Sequence, residues 1–581
     1  MSVAAESPDL LRNSGLITPV NTFIVLLATL ATLYYVYWRV SRRRMIELAE
    51  RIPGPKGFPI IGNALEFMGS PHEIFMSVYN KSKDLASVAK VWIGPRLLVF
   101  LRDPRDVEII LSSHVHIDKS PEYRFFQPWL GDGLLISTGQ KWRAHRKLIA
   151  PTFHLNVLKS FIDLFNKNSI DTVEKLRKEV GREFDCHDYM SEATVEILLE
   201  TAMGVSKKTQ DQSGFDYAMA VMKLCDILHI RQTKIWLYPD FIFNLTKISK
   251  YQKSLINVIH SLTRKVIQKK KAYFQKGIRG SAADVPEELK TQKYESAVNS
   301  KTTTIEGTSY GQSVGLKDDL DVDEDVGEKK RMAFLDLLIE ASQNGVVIND
   351  EEIKEQVDTI MFEGHDTTAA GSSFFLCQMA AHPDIQDKVM QELNEIFQGS
   401  DRPATFADTL EMKYLERCLL ETLRLFPPVP IIARQLQQEI KLGNGLIYLR
   451  SIGSITFFHV VSDTNIILPA GATIIVAQFG VHRLEEYYPE PTKFNPDNFL
   501  PERAAARHYY SFIPFSAGPR SCVGRKYAML KLKILLSTIL RNYKITSNLK
   551  EDDYKLQGDI ILKREDGFRI SLEPRKQEVK C

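Results

Sequence analysis

The chain has 581 residues and a formal net charge of +3. This near balance argues against a nucleic-acid partner, because a general nucleic-acid binder presents a strongly basic face. Hydrophobic residues make up 44% of the sequence, enough for a large core, and the six scattered cysteines with no CxxC pair predict reduced thiols rather than a disulfide framework.

The N-terminal segment predicts a membrane anchor. No charged residue occurs between Asn13 and Trp38, and about 20 apolar residues cross a bilayer as a helix. A cluster of arginines follows, namely Arg39, Arg42, Arg43 and Arg44. Positive charge stays on the cytosolic side, so the first residues should be lumenal and the body cytosolic. A cleaved signal peptide is the alternative, but the run is long and its basic cluster follows rather than precedes it.

The rest of the chain predicts one mainly α domain with a small β portion. We assign residues 1–45 to the lumenal tip, anchor and basic stop, 46–63 to a Pro/Gly-rich connector, and 64–581 to a single catalytic domain. Apolar residues recur at helical spacing in Phe153–Leu176, Tyr189–Met203, Tyr251–Tyr273 and Phe334–Ser342. Strand-like sequence is limited to Ser87–Leu101, Ala472–Phe479 and short pieces near the C-terminus.

Residues 275–333 interrupt this pattern. The segment contains no Phe or Trp and carries the acidic run DDLDVDEDVGE from Asp318 to Glu328. Low hydrophobicity with clustered like charge predicts a disordered or loosely held surface insertion.

The stretch PFSAGPRSCVG, Pro514 to Gly524, predicts a metal-ligating thiolate. Arg520 and the start of a following helix favour a thiolate at Cys522. Gly518 and Gly524 carry no side chain, so a flat ligand could approach the backbone, and Phe515 could shield the sulfur. The five positions fixed in ten residues suit a thiolate below a large planar metal cofactor, although a buried inert cysteine is the ordinary alternative.

With this stretch the sequence resembles the cytochrome P-450 superfamily of haem-thiolate monooxygenases, from about Pro53 to the C-terminus. Other motifs of that family occur before this stretch, in the order in which the family has them: KWRAHRKL, FEGHDTTAAG, ETLRLFPP, VPIIARQL and FNPDNFLPER. The resemblance implies the cytochrome P-450 fold and haem b (iron protoporphyrin IX), with Cys522 as the axial iron ligand.

The resemblance also assigns roles to single residues. It implies that Trp142, Arg146 and Arg434 meet the haem propionates, that Asp366 and Thr367 relay protons, and that Glu421 and Arg424 form a structural pair locked by Arg503. Taken alone, Glu421 and Arg424 are also an ordinary i,i+3 helix salt bridge, and KWRAHRKL is also an ordinary amphipathic surface helix.

Within the superfamily the chain resembles family 4, because Glu363 stands in FEGHDTT where many members have alanine. In family 4 such a glutamate can be ester-linked to a haem methyl group; a glutamate that is only hydrogen-bonded near the haem is the alternative.

The acidic insertion further resembles the insect G-type subfamily. Its members are oxidative decarbonylases, which convert very long-chain fatty aldehydes to cuticular hydrocarbons. Terminal (omega) hydroxylation of fatty acids is the alternative activity, and a non-catalytic haem- or lipid-binding protein is the alternative of another class. Electrons would come from an NADPH-dependent diflavin reductase, with cytochrome b5 as a second possible donor, at the endoplasmic reticulum membrane.

Residues from about 446 to 464 depart from the family, which has a short turn there. They are rich in Ile, Phe, Ser and Val. We interpret them as a sequence-level artefact such as a short intron translated in frame, with a genuine surface hairpin as the alternative.

Overall fold

The structure is a computed structural model that describes residues 19–58, 60–84, 87–205, 213–276, 308–313, 332–345, 348–443 and 466–575. The atypical insertion at about 446–464 and most of the 275–333 insertion therefore lie outside the described residues.

The described chain is mainly helical, as predicted. In the N-terminal half the helices are α1 (Pro19–Ser41), α2 (Arg43–Glu50), α3 (Pro71–Asp84), α4 (Pro104–Leu111), α5 (Gln127–Leu130), α6 (Gly139–Ile149), α7 (Leu155–Lys159), α8 (Ile162–Leu176), α9 (Cys186–Thr201), α10 (Ser213–Thr233), α11 (Asp240–Asn244) and α12 (Lys247–Gln275). In the C-terminal half they are α13 (Phe334–Gln343), α14 (Asp350–Ala381), α15 (Pro383–Phe397), α16 (Phe406–Glu411), α17 (Lys413–Leu425), α18 (Gln478–Val481), α19 (Pro501–Ala506) and α20 (Arg525–Asn542).

The strands are short and form small sheets. They are β1 (Val88–Ile93), β2 (Arg96–Leu101), β3 (Glu183–Asp185), β4 (Thr308–Ser309), β5 (Gln312–Ser313), β6 (Ile432–Gln435), β7 (Ile440–Lys441), β8 (Ile467–Leu468), β9 (Thr473–Val476), β10 (Tyr543–Thr546), β11 (Leu556–Gly558), β12 (Leu562–Arg564) and β13 (Arg569–Pro574). The largest sheet has the order β1-β2-β9-β6, with β2 and β9 parallel and its other pairs antiparallel. Both predicted strand regions lie in this sheet.

Helix α14 is the centre of the domain. It begins at Asp350, because Asn349 and Glu352 form a capping box in which each side chain accepts a hydrogen bond from the other residue's backbone N–H. Most of its residues are buried, and it contacts α9, α12, α17 and α20. A helix buried on nearly every side fits its apolar, small-residue composition, and it places Glu363–Thr367 in the interior.

Helix α1 meets the criteria for a membrane span. Residues Asn21–Ser41 are apolar and the side chains of that window are unburied by the rest of the protein. This end of the chain contacts the body. The Trp38 ring lies edge-on to Trp92 at 5.6 Å between centroids, Arg42 Nη1 donates to Pro95 O at 3.0 Å, and Arg44 forms an ion pair with Glu439 at 3.1 Å.

The prediction of disorder for the 275–333 insertion is wrong for its middle. Strands β4 and β5 form an antiparallel hairpin with a two-residue turn, Tyr310–Gly311, and Tyr310 is only 1% exposed. The prediction failed because composition averages over a segment, whereas one aromatic side chain suffices to dock a short hairpin.

The segment that flanks the other insertion is an ordered strand pair. Strands β7 and β8 pair Lys441 with Ile467, and Leu442 N donates to Ile466 O at 3.0 Å. Residues 444–465 are therefore inserted in the sequence between two strands whose adjoining residues pair directly with each other.

Candidate active site

The loop from Phe515 to Gly524 is held by its own backbone. Cys522 N donates to Phe515 O and Ser521 N donates to Gly518 O, each at 2.9 Å. Gly518 has φ +70°, and a Cβ there would lie 2.0 Å from Leu111 O, so no other residue fits without moving the backbone. Helix α20 starts directly after this loop, with Gly524 as its N-cap.

Cys522 faces an internal cavity of about 530 Å³. The cavity is lined by Glu363, Gly364 and Thr367 from α14 and by Trp142 and Arg146 from α6. The nearest atoms to a Cβ built on Gly524 are Cys522 Sγ at 3.9 Å and a Phe153 ring carbon at 4.0 Å. Protein packing therefore does not demand a glycine at 524, but a flat group lying on the sulfur would.

The groups around Cys522 have opposing effects on the pKa of its thiol. Burial, followed by the nearby Glu363 carboxylate, raises the pKa of the Cys522 thiol to about 11. The Gly524 N–H and the cations Arg146 and Arg525 lower that pKa. A coordinated metal ion deprotonates a thiol outright, so iron coordination would remove the cost of the buried anion.

Arg520 and Arg146 fasten this loop to the opposite wall. Arg520 Nε donates to Ile117 O at 2.9 Å and its Nη1 to Leu134 O at 3.0 Å, while Arg146 Nη1 donates to Ser521 O at 2.8 Å. The Arg520 guanidinium also lies 4.5 Å from the Trp142 ring centroid. Burial and then the neighbouring Arg434 lower the pKa of Arg520 to about 9.

Arg434 and Lys119 extend this group of cations. Residues 119 and 434 form a β-bridge, and the hydrogen bond described for the Arg434 guanidinium goes to Ala433 O at 3.2 Å. Burial lowers the pKa of both side chains, and for Lys119 the next causes are Arg434 and Arg520. The carboxylates that act on this group of cations are Glu363 and Asp118. They are outnumbered by Lys119, Arg146, Arg434 and Arg520, so two propionate groups would fit as further anions. Lys119 could not be identified from the sequence, because it stands in no motif.

Glu363 lies in the cavity wall, where the sequence analysis expected it. Burial raises the pKa of its carboxyl to about 7, although Lys119, Arg146 and Arg520 each lower it. The carboxyl faces the space beside Cys522.

The structure separates the two members of the predicted relay pair. Thr367 lines the cavity, and its Oγ1 donates to Glu363 O at 2.7 Å, which leaves the oxygen free to accept from a molecule in the cavity. Asp366 is fully buried, and its side chain points to a different region, with Cys225 Sγ at 3.8 Å from Oδ2. The sequence analysis treated the two residues as neighbours in one relay, and adjacent positions on a helix point in different directions.

Two buried lysines that sequence reasoning missed lie beside this part of α14. Lys563 on β12 holds the Asp366 carboxylate ionised: burial raises the pKa of Asp366, but Lys563 and two histidines outweigh it, so the pKa lies below its ordinary value. Lys531 on α20 donates to Gly364 O and to Thr368 Oγ1, both at 2.9 Å, and burial lowers its pKa to about 7. Each lysine comes from a segment far away in sequence, so spacing could not reveal it.

Glu421 and Arg424 form the expected pair in the interior. Arg424 Nε and Nη2 donate to the two Glu421 oxygens at 2.7 Å, and both side chains are 0% exposed. The residues that lock the pair are Asn495, whose N–H donates at 2.8 Å, and Asn498, whose Nδ2 donates at 3.0 Å, both to Glu421 Oε1.

Arg503 does not lock this pair, so that expectation is corrected. Its side chain is exposed on α19 and takes part in none of the described hydrogen bonds or ion pairs. The segment from Phe494 onward reaches the pair through its asparagines instead. Arg507 supports that segment by donating to Asn498 O.

The comparisons with known proteins agree with this geometry. The Cytochrome P450 family profile matches residues 52–452 and 456–572. Cytochrome P450 4g15 of Drosophila melanogaster is 60% identical, covering 97% of this chain and 99% of the relative, and Cytochrome P450 4g1 of the same fly is 48% identical, covering 99% and 97%. Human Cytochrome P450 4V2 is 34% identical, covering 90% and 89%. A cysteine loop beside a cation-walled cavity, matched over nearly the full length of these relatives, shows that the chain is a haem-dependent monooxygenase of the cytochrome P450 family, in family 4.

Proposed function

We propose that the chain oxidatively decarbonylates very long-chain fatty aldehydes to hydrocarbons at the endoplasmic reticulum membrane. The observation that carries the proposal is the cavity itself: one space joins Cys522 to aromatic side chains of α3, Phe75 and Tyr79, and its wall is largely apolar. An apolar chain of many methylenes fits such a space, because each buried CH₂ contributes about 0.8 kcal/mol. The similarity to the two P450 4g proteins supports the same subfamily.

Haem iron, when bound through Cys522, supplies the activation of dioxygen. The chain's own residues hold the reactants. Arg434 and Lys119 would pair with the haem propionates. The Thr367 hydroxyl, which donates to Glu363 O, would accept a hydrogen bond from a molecule in the cavity. Asp366 is buried on another side of α14, where the charge of Lys563 helps to hold the pKa of its carboxyl below the ordinary value. Converting an aldehyde and one dioxygen to alkane, carbon dioxide and water consumes two electrons and two protons, and the diflavin reductase would supply the electrons.

Terminal hydroxylation of a fatty acid is the second candidate, and one residue favours it. Arg102 lines the cavity, Nη1 donates to Ser82 O, and the buried Nε makes no hydrogen bond with the described residues. Burial lowers the pKa of Arg102. A fatty-acid carboxylate could pair with this guanidinium while the far end of its chain lies at the iron, whereas an aldehyde places its polar end at the iron.

Product analysis separates the two candidates. The full chain is reconstituted in vesicles with an NADPH-dependent diflavin reductase and given either an aldehyde or a fatty acid of the same chain length. With an aldehyde labelled at its carbonyl carbon, decarbonylation gives an alkane one carbon shorter and labelled carbon dioxide. Exclusive formation of an omega-hydroxy acid overturns the proposal. Arg102→Gln is the matched variant: it should raise KM for the acid at least about tenfold and leave KM for the aldehyde unchanged.

The ester link from Glu363 to the haem is a proposal of the same site. Its formation joins a carboxylate oxygen to a haem methyl carbon and releases one proton and two electrons, which dioxygen accepts. Treatment with acidic acetone should leave haem on the wild-type protein and strip it from Glu363→Ala. Complete extraction from the wild type after turnover would show that Glu363 lies beside the haem without the bond.

We further propose that the body lies on the cytosolic face, beside the bilayer. Large apolar side chains are exposed on residues 236–245, with Trp236 at 50%, Phe241 at 72% and Leu245 at 85%. An N-glycosylation acceptor placed before residue 13 should be modified in microsomes, and one placed after residue 276 should not. The reverse pattern would overturn the orientation.

A further inference from the structure

The hairpin Thr308–Ser313 is the one described part of the chain between residues 277 and 331, and it is built on an unusual turn. Tyr310 has φ +46° and Gly311 has φ +80°. Two consecutive residues with positive φ between paired strands are typical of a type I′ turn, which prefers Asn-Gly and is disfavoured for Tyr at its first position. Something must therefore stabilise Tyr310 in this conformation.

The side chain of Tyr310 supplies that stabilisation. It is 1% exposed and belongs to the main hydrophobic core, among the largest fully buried side chains. Full burial of an aromatic ring outweighs the cost of about 1–2 kcal/mol for a left-handed residue. The hairpin is thus attached to the domain by its turn.

The place of attachment is the cysteine loop. A Cβ built on Gly311 would lie 2.5 Å from Phe515 Cε2 and 3.2 Å from Met529 Sδ. Phe515 is the residue whose carbonyl accepts the Cys522 N–H, and Met529 is fully buried on α20 just beyond the loop. The turn therefore covers the Phe515 ring at a distance that only a glycine allows.

We propose that the Tyr310–Gly311 turn is an intrachain plug that presses Phe515 into place and thereby positions the Cys522 loop. Gly311 and Tyr310 are positioning residues: Gly311 lies against the Phe515 ring, and the buried Tyr310 side chain anchors the turn. The insertion as a whole then has a defined task, because its two flanks tether this plug to α12 and α13. The inference rests on the haem-thiolate site of the family and not on the choice of substrate, so its failure leaves the decarbonylation proposal unaffected.

The first test needs no substitution. Hydrogen exchange is measured on the full-length haem-containing protein, and the amides of residues 308–313 should exchange at least about tenfold more slowly than those of a freely exposed peptide. Exchange of these amides at the rate of an unstructured chain overturns the proposal.

The second test compares Tyr310→Ala and Gly311→Ala with a control, Tyr251→Ala, in which a half-exposed tyrosine outside the loop is lost. Both plug variants should speed exchange at the Cys522 amide at least about tenfold and shorten the lifetime of the thiolate-ligated carbon monoxide adduct by a similar factor. Tyr310→Phe should restore the wild-type values. Exchange in the last turns of α8, far from the loop in sequence, should stay unchanged, which separates positioning from general destabilisation.

Two outcomes overturn the proposal in the second test. One is that the plug variants match Tyr251→Ala within about twofold in both measurements. The other is that exchange rises equally in α8 and in the cysteine loop, since that result would mean only a less stable core.

Discussion

The Glu421–Arg424 pair gives a prediction whose size follows from the structure. In Arg424→Ala the Glu421 carboxylate stays 0% exposed and keeps its bonds from Asn495 and Asn498, but loses its counter-charge and both 2.7 Å bonds. Removing one partner of a buried ion pair costs about 3–5 kcal/mol. Because proteins are stable by about 5–15 kcal/mol, this loss should lower the ratio of folded to unfolded protein more than about 100-fold.

The assay is urea unfolding of the full chain in detergent, followed by tryptophan fluorescence and by the haem absorption band. Glu421→Ala should cost about as much as Arg424→Ala, and the double variant should cost less than the sum by about 2–3 kcal/mol, because the second removal eliminates the unpaired charge. Arg503→Ala is the control, and we expect it to change stability by less than about 0.5 kcal/mol because the residue is exposed. Additive single variants, or an Arg503→Ala loss equal to that of Arg424→Ala, would refute the reasoning.

Three further predictions concern the loops and α20. Gly518→Ala should unfold the loop, at a cost of at least about 2 kcal/mol, because its Cβ would meet a backbone oxygen and its φ is positive. Gly524→Ala should leave the stability of the haem-free chain unchanged but lower its haem content. Denaturation curves measure the stability of both variants, and haem titration measures their haem content. Lys531 has a folded pKa of about 7, below the unfolded value of 10.5, so the unfolded state binds more protons between pH 7 and 10.5. The free energy of unfolding of the wild type relative to Lys531→Met should therefore rise with pH in this range, by about 1 kcal/mol per pH unit. Below pH 7 this difference should be flat. Deleting residues 446–464 leaves a four-residue Gly-Asn-Gly-Asn loop on the β7–β8 hairpin, a common hairpin length, so haem content per milligram should match or exceed that of the full chain; loss of haem would show that the segment is part of the fold.

The cysteine loop and α14 were predictable because their residues must be close in sequence to do their work. Gly518, Cys522 and Gly524 lie in one short loop. The start of α14 depends on the reciprocal hydrogen bonds between Asn349 and Glu352, which are three residues apart. Local chemistry of this kind is readable from residue types and spacing alone.

Three lysines near the cavity and α14 were not predictable in the same way, whereas Arg146, Arg434 and Arg520 were named from their motifs. Lys119, Lys531 and Lys563 each reach the site from a different element, and a lysine in sequence resembles any exposed lysine. The error on Arg503 has the related cause that its segment does reach the buried pair, but through Asn495 and Asn498. The Tyr310–Gly311 turn carried little signal, because a type I′ turn disfavours Tyr at its first position and the composition of the surrounding segment predicted disorder.

The contacts between α1 and the body bear on the route by which the proposed substrate reaches the cavity. Trp38 packs on Trp92 and Arg44 pairs with Glu439, and these contacts restrict rotation of the domain about α1. In the proposed orientation the exposed apolar residues, Phe241 and Leu245 among them, face the lipid. An aldehyde with tens of methylenes has almost no aqueous concentration, since each adds about 0.8 kcal/mol to its transfer cost. For the proposed aldehyde substrate, supply would therefore be set by lateral diffusion within the leaflet, and turnover should follow the mole fraction of aldehyde in the lipid rather than its amount per volume.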